Sequence, residues 1–139
     1  MRALDDLALL VARLCMAALF LPSGVSKAGN LAGFSGFLAG KGLPYPEVLA
    51  AITAAVEIGG PVLLILGVLP RITALVLIGF VIAATATAHL FWQFPDAAAR
   101  SAQQIAFFKN VGLVGGLLFY FASGPGAFAI GGRDTRSGP

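Results

Sequence analysis

Charged residues are scarce in this sequence. Only 11% of its 139 residues are Asp, Glu, Lys or Arg, whereas 58% are hydrophobic; an average soluble domain is about 25% charged. The mean hydropathy is correspondingly high, at +0.92. A chain this apolar cannot cover itself with polar surface, so we expect its surroundings to be lipid. The length leaves room for one membrane domain, which would comprise the whole chain, residues 1–139.

Cysteine and histidine are almost absent, and this excludes several kinds of site. Cys15 is the only cysteine and His89 is the only histidine. A single cysteine can form neither an intrachain disulfide nor a redox-active pair of thiols. A structural zinc site usually needs four Cys or His ligands, so we predict no zinc and no other metal site.

The basic residues outnumber the acidic ones by nine to six, but they are not clustered. They stand singly beside apolar stretches, as the residues that flank membrane spans do. A nucleic-acid-binding protein would show a basic patch and a recognisable motif. We therefore predict no nucleic-acid partner, and we predict the lipid bilayer as the protein's main environment.

Four apolar runs are long enough to cross a bilayer, which takes about 20 helical residues. A chain in lipid must satisfy its backbone within helices or a closed barrel, and runs of this length exclude barrel strands of about ten residues. The sequence therefore predicts an all-α, up-down bundle of four transmembrane helices. Asp96 is a suitable N-cap for a fourth helix that starts near Ala97. The predicted spans are residues 7–28, 47–67, 72–94 and 104–122.

The end of the first span contains residues that normally stop a helix. Pro22 is followed by a serine and a glycine before the chain reaches Lys27. We predict that the helix nevertheless continues to about Ala28, because Pro is tolerated in membrane helices where nearby serine side chains re-satisfy the freed carbonyl groups. Lys27 then stays on the same helix face as Arg13.

The stretch after the first span has the pattern of a short amphipathic helix on the bilayer surface. Phe34, Phe37 and Lys41 recur at helical spacing, with Asn30 suited to start the helix and Gly42 suited to end it. This predicts an interfacial helix between the first and second spans. An ordinary connecting loop is the alternative.

An even number of spans puts both termini on one side of the membrane. The side of the termini carries five basic residues and the opposite side carries four. The positive-inside rule therefore favours cytoplasmic termini only weakly. The side of the termini holds Arg2, Arg13, Arg71, Arg133 and Arg136, and the other side holds Lys27, Lys41, Arg100 and Lys109.

Four sequence blocks follow one another in a fixed order between residues 10 and 128. They are LPSGVSKAGNLAGFSGFLAGKGLPYPEVLA, VEIGGPVLLILGVLPR, FFKNVGLVGGLL and GPGAF. In order and spacing these blocks resemble the DoxX family of small bacterial membrane proteins. The resemblance implies a multi-pass protein of the bacterial inner membrane and an association with a redox partner, because the family is named after a subunit linked to thiosulfate:quinone oxidoreductase. It supplies no catalytic motif that maps onto this chain.

Ionisable residues at membrane depth are candidates for function, because placing one in lipid costs at least about 2.5 to 3.5 kcal/mol. In an up-down bundle Lys27, His89 and Lys109 reach the same side of the membrane. We predict that they line one polar mouth together with Thr85, Trp92 and Asn110. The alternatives are that the lysines reach separate head groups and that His89 is an ordinary interfacial residue. A haem ligand would need an axial partner that the sequence does not offer.

Arg13 and Glu57 are predicted to form an ion pair inside the bundle. Counted from the side opposite the termini at about 1.5 Å per residue, Glu57 lies about 16 Å deep and Arg13 about 21 Å deep. An arginine side chain spans that gap, and its planar fork suits a carboxylate. We expect the pair to fix the register of the first two spans.

Gly112 and Gly116 form a GxxxG pattern in the fourth span. Small residues at this spacing let another helix approach closely, so we predict that both glycines serve helix packing.

Three functions are compatible with these features. The first is a small subunit or accessory of a membrane redox system, which binds a quinone or supports a redox enzyme. The second is a non-enzymatic protein that binds or assembles other membrane proteins. The third is a proton-coupled exporter that uses a membrane glutamate and works as a homo-oligomer. The sequence contains no recognisable catalytic motif, so no reaction is assigned to it.

Overall fold

The computed structural model describes residues 2–130, and these residues form five α-helices. The long helices are α1 (Arg2–Gly29), α3 (Pro46–Leu66), α4 (Pro70–Ala88) and α5 (Ala97–Ser123), and the short helix α2 (Leu31–Gly40) lies between α1 and α3. No strand occurs in this part of the chain. Four segments are long and apolar enough to cross a membrane; three lie within α1, α3 and α5, and the fourth, Pro70–Gln93, contains α4 and extends beyond it. The predicted all-α architecture of four spans and one short helix is confirmed.

Helix α1 continues through Pro22, as predicted. Residues Ser23 to Lys27 are helical and the helix ends at Gly29. The helix also begins earlier than the sequence predicts, at Arg2 instead of residue 7. Asp5 lies in this first turn, where a carboxylate is stabilised by the positive end of the helix dipole, so the polar residues ahead of the apolar run still join the helix.

The predicted helix starts are confirmed in detail. The Asn30 side chain accepts a hydrogen bond from the Gly33 N–H at 3.0 Å and so caps α2. The Asp96 side chain accepts from the Ala99 N–H at 2.7 Å and caps α5. Gly42 has a positive φ of 74° beyond the end of α2, a conformation that glycine adopts without strain.

The third span is built from two helical pieces, which together cover Pro70–Gln93, close to the predicted residues 72–94. Helix α4 ends at Ala88 instead of residue 94, and a short 3₁₀ helix, Phe91–Gln93, follows it. The aromatic residues of this 3₁₀ helix turn back against α5: the ring centroids of Phe91 and Trp92 lie 5.5 and 5.9 Å from that of Phe107. Packed aromatic rings stabilise this arrangement. A continued α-helix is disfavoured here, because Phe94 precedes Pro95 and a residue before proline avoids the α conformation.

The long helices pack in the order α1, α3, α4, α5, and α2 packs against α3. We call the end of the bundle at which α1 begins and α5 ends the terminal end, and the opposite end the loop end. The apolar core lies between the long helices and contains Phe20, Leu64, Ala74, Leu77, Val81, Leu117 and Tyr120.

The segment after α5, residues 124–130, folds back over the terminal end. The Ala127 N–H donates to Asp6 Oδ1 at 2.8 Å, and the Ile130 N–H donates to the carbonyl of Leu66 at 2.8 Å. This C-terminal segment therefore joins the beginning of α1 to the end of α3.

Candidate functional site

Helix α1 approaches α3 closely at Gly24. A methyl group at this position would lie 2.8 Å from the backbone carbonyl carbon and from the Cβ of Glu57. Only glycine leaves room for this contact, so the backbone of α1 lies directly against α3 at the level of Glu57. Lys27 lies one helical turn beyond Gly24 on the same face of α1, which brings its side chain within reach of Glu57.

Lys27 and Glu57 form an ion pair between α1 and α3. Lys27 Nζ lies 2.7 Å from Glu57 Oε2 and donates a second hydrogen bond to Ser23 Oγ at 2.6 Å. The same ammonium group lies 5.2 Å from the ring centroid of Phe34 in α2, a favourable cation–π distance. The side chains of Lys27 and Glu57 are only 22% and 7% exposed. The pair therefore links all three helices in a mostly buried position.

The predicted pair of Arg13 with Glu57 is wrong, because Glu57 is paired with Lys27 instead. Lys27 does not lie level with the start of the second span, as the prediction requires, because the residue level with Glu57 is Gly24. Arg13 is eleven residues from Gly24 along α1, which is about 16 Å and more than an arginine side chain can span. The whole helix α1 is shifted along α3 toward the terminal end.

Arg13 instead binds backbone carbonyl groups at the terminal end. Its Nη1 donates to the carbonyl of Ile65 at 2.7 Å, and its Nη2 donates to the carbonyl of Phe128 in the C-terminal segment. The carbonyl groups in the last turn of a helix lack intrahelical partners, and a cation there is stabilised by the helix dipole. Arg13 therefore caps α3 and holds the C-terminal segment against it.

A second polar contact lies between α4 and α5. Asn110 Nδ2 donates to Thr85 Oγ1 at 2.9 Å, and Thr85 Oγ1 in turn donates to the carbonyl of Val81 at 2.6 Å. One turn closer to the loop end, His89 Nδ1 and Gln103 Oε1 are 2.7 Å apart. Thr85 thus uses its one proton, whereas Asn110 keeps one N–H and its amide oxygen for a further partner.

A groove of about 250 Å³ opens beside this contact, between α4 and α5. Its walls are apolar except at Thr85 and Asn110. The remaining lining residues are Ile82, Ala86, Leu90, Phe107, Val111 and Val114. The groove thus combines an apolar surface with a single polar position, which is the usual composition of a small-molecule site.

The residues of the predicted polar mouth are found in several places. Thr85 and Asn110 are hydrogen-bonded to each other in the groove, and Trp92 packs against Phe107 at its edge. His89 contacts Gln103 and does not line the groove, and Lys109 is exposed. Lys27 makes its polar contacts within α1 and with α3. One mouth that includes Lys27 together with the other residues stays a prediction.

Three of the contacts in these sites were not predicted from the sequence, namely those made by Ser23, Phe34 and Gln103. Ser23 could have been found, because it lies four residues before Lys27 on the same helix face. Phe34 and Gln103 belong to other helices than the residues they contact. Their roles depend on how the helices pack, and no local pattern indicates them.

The two glycines of the GxxxG pattern differ in their surroundings. A methyl group at Gly116 would lie 3.5 Å from Cε of Met16, so this glycine faces α1. A methyl group at Gly112 would meet no other part of residues 2–130 within 4 Å. Packing between the described helices therefore involves Gly116, and Gly112 lies on the outer surface.

Four apolar spans with polar contacts enclosed between them define a small multi-pass integral membrane protein. The family model DoxX matches residues 8–90. The chain is 33% identical to the inner membrane protein YqjF of Escherichia coli (strain K12) over 130 residues, which cover 94% of each chain. It is 29% identical to the inner membrane protein YphA of the same organism over 122 residues, 88% of this chain and 86% of the relative. No solved structure matches the chain significantly.

The chain therefore belongs to the DoxX family. The family membership suggested by the four sequence blocks is confirmed, and both relatives are proteins of the inner membrane.

Proposed function

We propose that this protein is a small accessory of a membrane redox system and that the groove between α4 and α5 binds a quinone. The observation that carries the proposal is the composition of the groove, which is apolar except for Thr85 and Asn110. A quinone is an apolar membrane molecule with hydrogen-bonding groups at its ring, so its chemistry matches the groove.

The position of the polar contact suits a ligand that enters from the bilayer. Thr85 lies one turn from the end of α4, close to the loop end, whereas Ile82 and Val114 extend the groove toward the middle of the bundle. The volume of about 250 Å³ is below the roughly 300 to 1,000 Å³ typical of drug-sized sites. It accommodates a ring, and the attached isoprenoid chain would lie along the apolar walls and in the lipid.

The free hydrogen-bonding groups of Asn110 suit both redox forms of such a ligand. Its second N–H can donate to a quinone carbonyl, and its amide oxygen can accept from a quinol hydroxyl. Phe107 forms part of the groove wall and is itself packed edge to face with Phe91 and Trp92. A ring bound in the groove would therefore contact an aromatic cluster whose geometry is already fixed.

The single tryptophan provides a direct test. Purified protein in lipid nanodiscs is titrated with decylubiquinone while Trp92 fluorescence is recorded, and we expect saturable quenching. Asn110→Leu should weaken the apparent affinity about tenfold, because one hydrogen bond in an apolar groove is worth about 1.5 kcal/mol. Thr85→Val removes the residue that orients Asn110 and should also weaken binding.

A matched control lies two residues away. The Thr87 hydroxyl donates to the carbonyl of Ala83, like that of Thr85 to Val81, but Thr87 does not line the groove. Thr87→Val should therefore leave quenching unchanged. Quenching that does not saturate, or that is equal in the Asn110→Leu variant, would mean that the quinone only partitions into the lipid. A stable protein partner isolated without any quinone would favour the role in assembly.

We further propose that the protein resides in the bacterial inner membrane with both termini in the cytoplasm, which places the groove nearer the opposite face. The support is the location of the two relatives and the slight excess of basic residues on the side of the termini. A fluorescent protein fused to the C-terminus should fold and fluoresce in intact cells. An enzymatically active alkaline phosphatase at the same position would contradict this orientation.

A further inference from the structure

Two buried side chains at the terminal end each carry a polar atom without a hydrogen-bond partner among residues 2–130. These atoms are Nε of Arg13 and the hydroxyl oxygen of Tyr120. The two residues are only 1% and 5% exposed, so bulk water does not reach them. The other two nitrogens of the Arg13 guanidinium are bound to the carbonyl groups of Ile65 and Phe128.

Arg13 and Tyr120 lie at the same level of the bundle, on sides of α1 and α5 that face each other. One turn further along these helices, Met16 lies against Gly116, so the faces that carry Arg13 and Tyr120 are in contact. On the Arg13 side, the end of α3 and the C-terminal segment adjoin the site through the carbonyl groups of Ile65 and Phe128.

The chemistry of the two atoms restricts what can satisfy them. The guanidinium Nε–H is a donor only, and the tyrosine hydroxyl has a proton to donate. A buried donor left without an acceptor is costly, particularly when it carries charge. Proteins usually resolve this cost with an enclosed water molecule that bonds to two or more polar groups. The hydroxyl oxygen could also accept from Nε–H, but the two atoms are not bonded to each other in the described chain. A small acceptor of negative or partly negative character placed between them would satisfy both donors.

We propose that Arg13 Nε and the Tyr120 hydroxyl together bind one small hydrogen-bond acceptor, a water molecule or a chloride ion, enclosed between α1 and α5. This bound acceptor joins the first and last helices of the bundle at the terminal end, next to the point where Arg13 holds the C-terminal segment. The site is independent of the proposed quinone groove, which lies between α4 and α5 nearer the loop end.

The tyrosine content of the chain allows the hydroxyl to be observed directly. The sequence has two tyrosines, so the Tyr45→Phe variant contains Tyr120 alone. Its ultraviolet resonance Raman spectrum includes the tyrosine doublet whose intensity ratio reports hydrogen bonding of the hydroxyl. For the folded protein we expect the intensity ratio that is typical of a tyrosine hydroxyl donating a hydrogen bond. A ratio typical of a free hydroxyl would overturn the proposal without any mutation near the site.

The sign of a stability change gives a second test. If the hydroxyl of Tyr120 is bonded to an enclosed acceptor, Tyr120→Phe removes that bond and lowers the Tm in detergent by several degrees. If the hydroxyl is unbonded, the same change removes an unsatisfied buried group and leaves the Tm unchanged or raises it, which would overturn the proposal. Tyr45→Phe is the matched control, because Tyr45 is 78% exposed and its replacement should have little effect.

The two acceptors are distinguished by salt. The Tm is measured in sodium chloride and in sodium gluconate at equal ionic strength. A Tm that is higher in chloride, with a difference that disappears in Tyr120→Phe, identifies a chloride ion. Equal values in both salts, together with a bonded hydroxyl in the Raman spectrum, identify a water molecule. Both results support the site, and binding of decylubiquinone in the groove should be unaffected by Tyr120→Phe in either case.

Discussion

Glu57→Gln is expected to lower the free energy of unfolding by about 3 kcal/mol, because the mostly buried ammonium group of Lys27 then has no counter-ion. The converse variant, Lys27→Met, leaves the carboxylate of Glu57, whose side chain is 7% exposed, without a cation and should have a similar effect. Unfolding in mixed detergent micelles with increasing sodium dodecyl sulfate measures both values.

The combination of the two changes separates the ion pair from other effects. When both partners are replaced, no unpaired charge remains, so the double variant should be more stable than the sum of the single effects predicts. Glu47→Gln is the control, because Glu47 lies on the same helix but is exposed. Arg13→Gln combined with Glu57→Gln should show additive effects, since these residues do not interact. Additivity between Lys27 and Glu57 would instead mean that their contact contributes nothing to stability.

Gly24→Ala should also destabilise the bundle, by about 3 kcal/mol, the upper end of the range for overpacked cores. The added methyl group would lie 2.8 Å from the backbone of Glu57, and a backbone atom cannot move aside as a flexible side chain can. Helices α1 and α3 must then separate, which also lengthens the contact of Lys27 with Glu57. Denaturant unfolding of the same kind measures the loss.

Gly79→Ala is a matched control for this substitution. Gly79 also lies in the interior of a transmembrane helix. A methyl group there would have no side chain and no other helix of the described chain within 4 Å. The change should be neutral or slightly stabilising, because alanine is a better helix former than glycine. In the Gly24→Ala background, Glu57→Gln should cost less than in the original protein. If Gly24→Ala is as harmless as Gly79→Ala, the close contact of α1 with α3 does not exist.

The helices themselves could be predicted from the sequence, because hydrocarbon surroundings leave the backbone few alternatives. Each long apolar run must satisfy its own N–H and C=O groups, so it forms a helix. The caps at Asn30 and Asp96 depend only on residues up to three positions away, and local patterns therefore located them. The continuation through Pro22 followed from the same reasoning. The change from α helix to 3₁₀ helix after Ala88 was not predicted, because it depends on the packing of Phe91 and Trp92 against Phe107 in another helix.

The sequence grouped Thr85 and Asn110 at one end of the bundle, and the structure joins these two by a hydrogen bond. Thr85 and Asn110 lie in adjacent antiparallel helices, whose relative positions are restricted by the connection between them. The partner of Glu57 was not predicted correctly, because α2 lies between α1 and α3 in the chain and the connection leaves their relative position along the helix axes undetermined. Their axial register is decided by the contact at Gly24, where the absence of a side chain permits the backbones to touch. This contact places Glu57 beside Lys27 and leaves Arg13 at the end of α3. The sequence by itself determined which ionisable residues enter the bundle, and only the tertiary structure decided which of them meet, because a shift of one helix along its axis changes every contact without changing the helix.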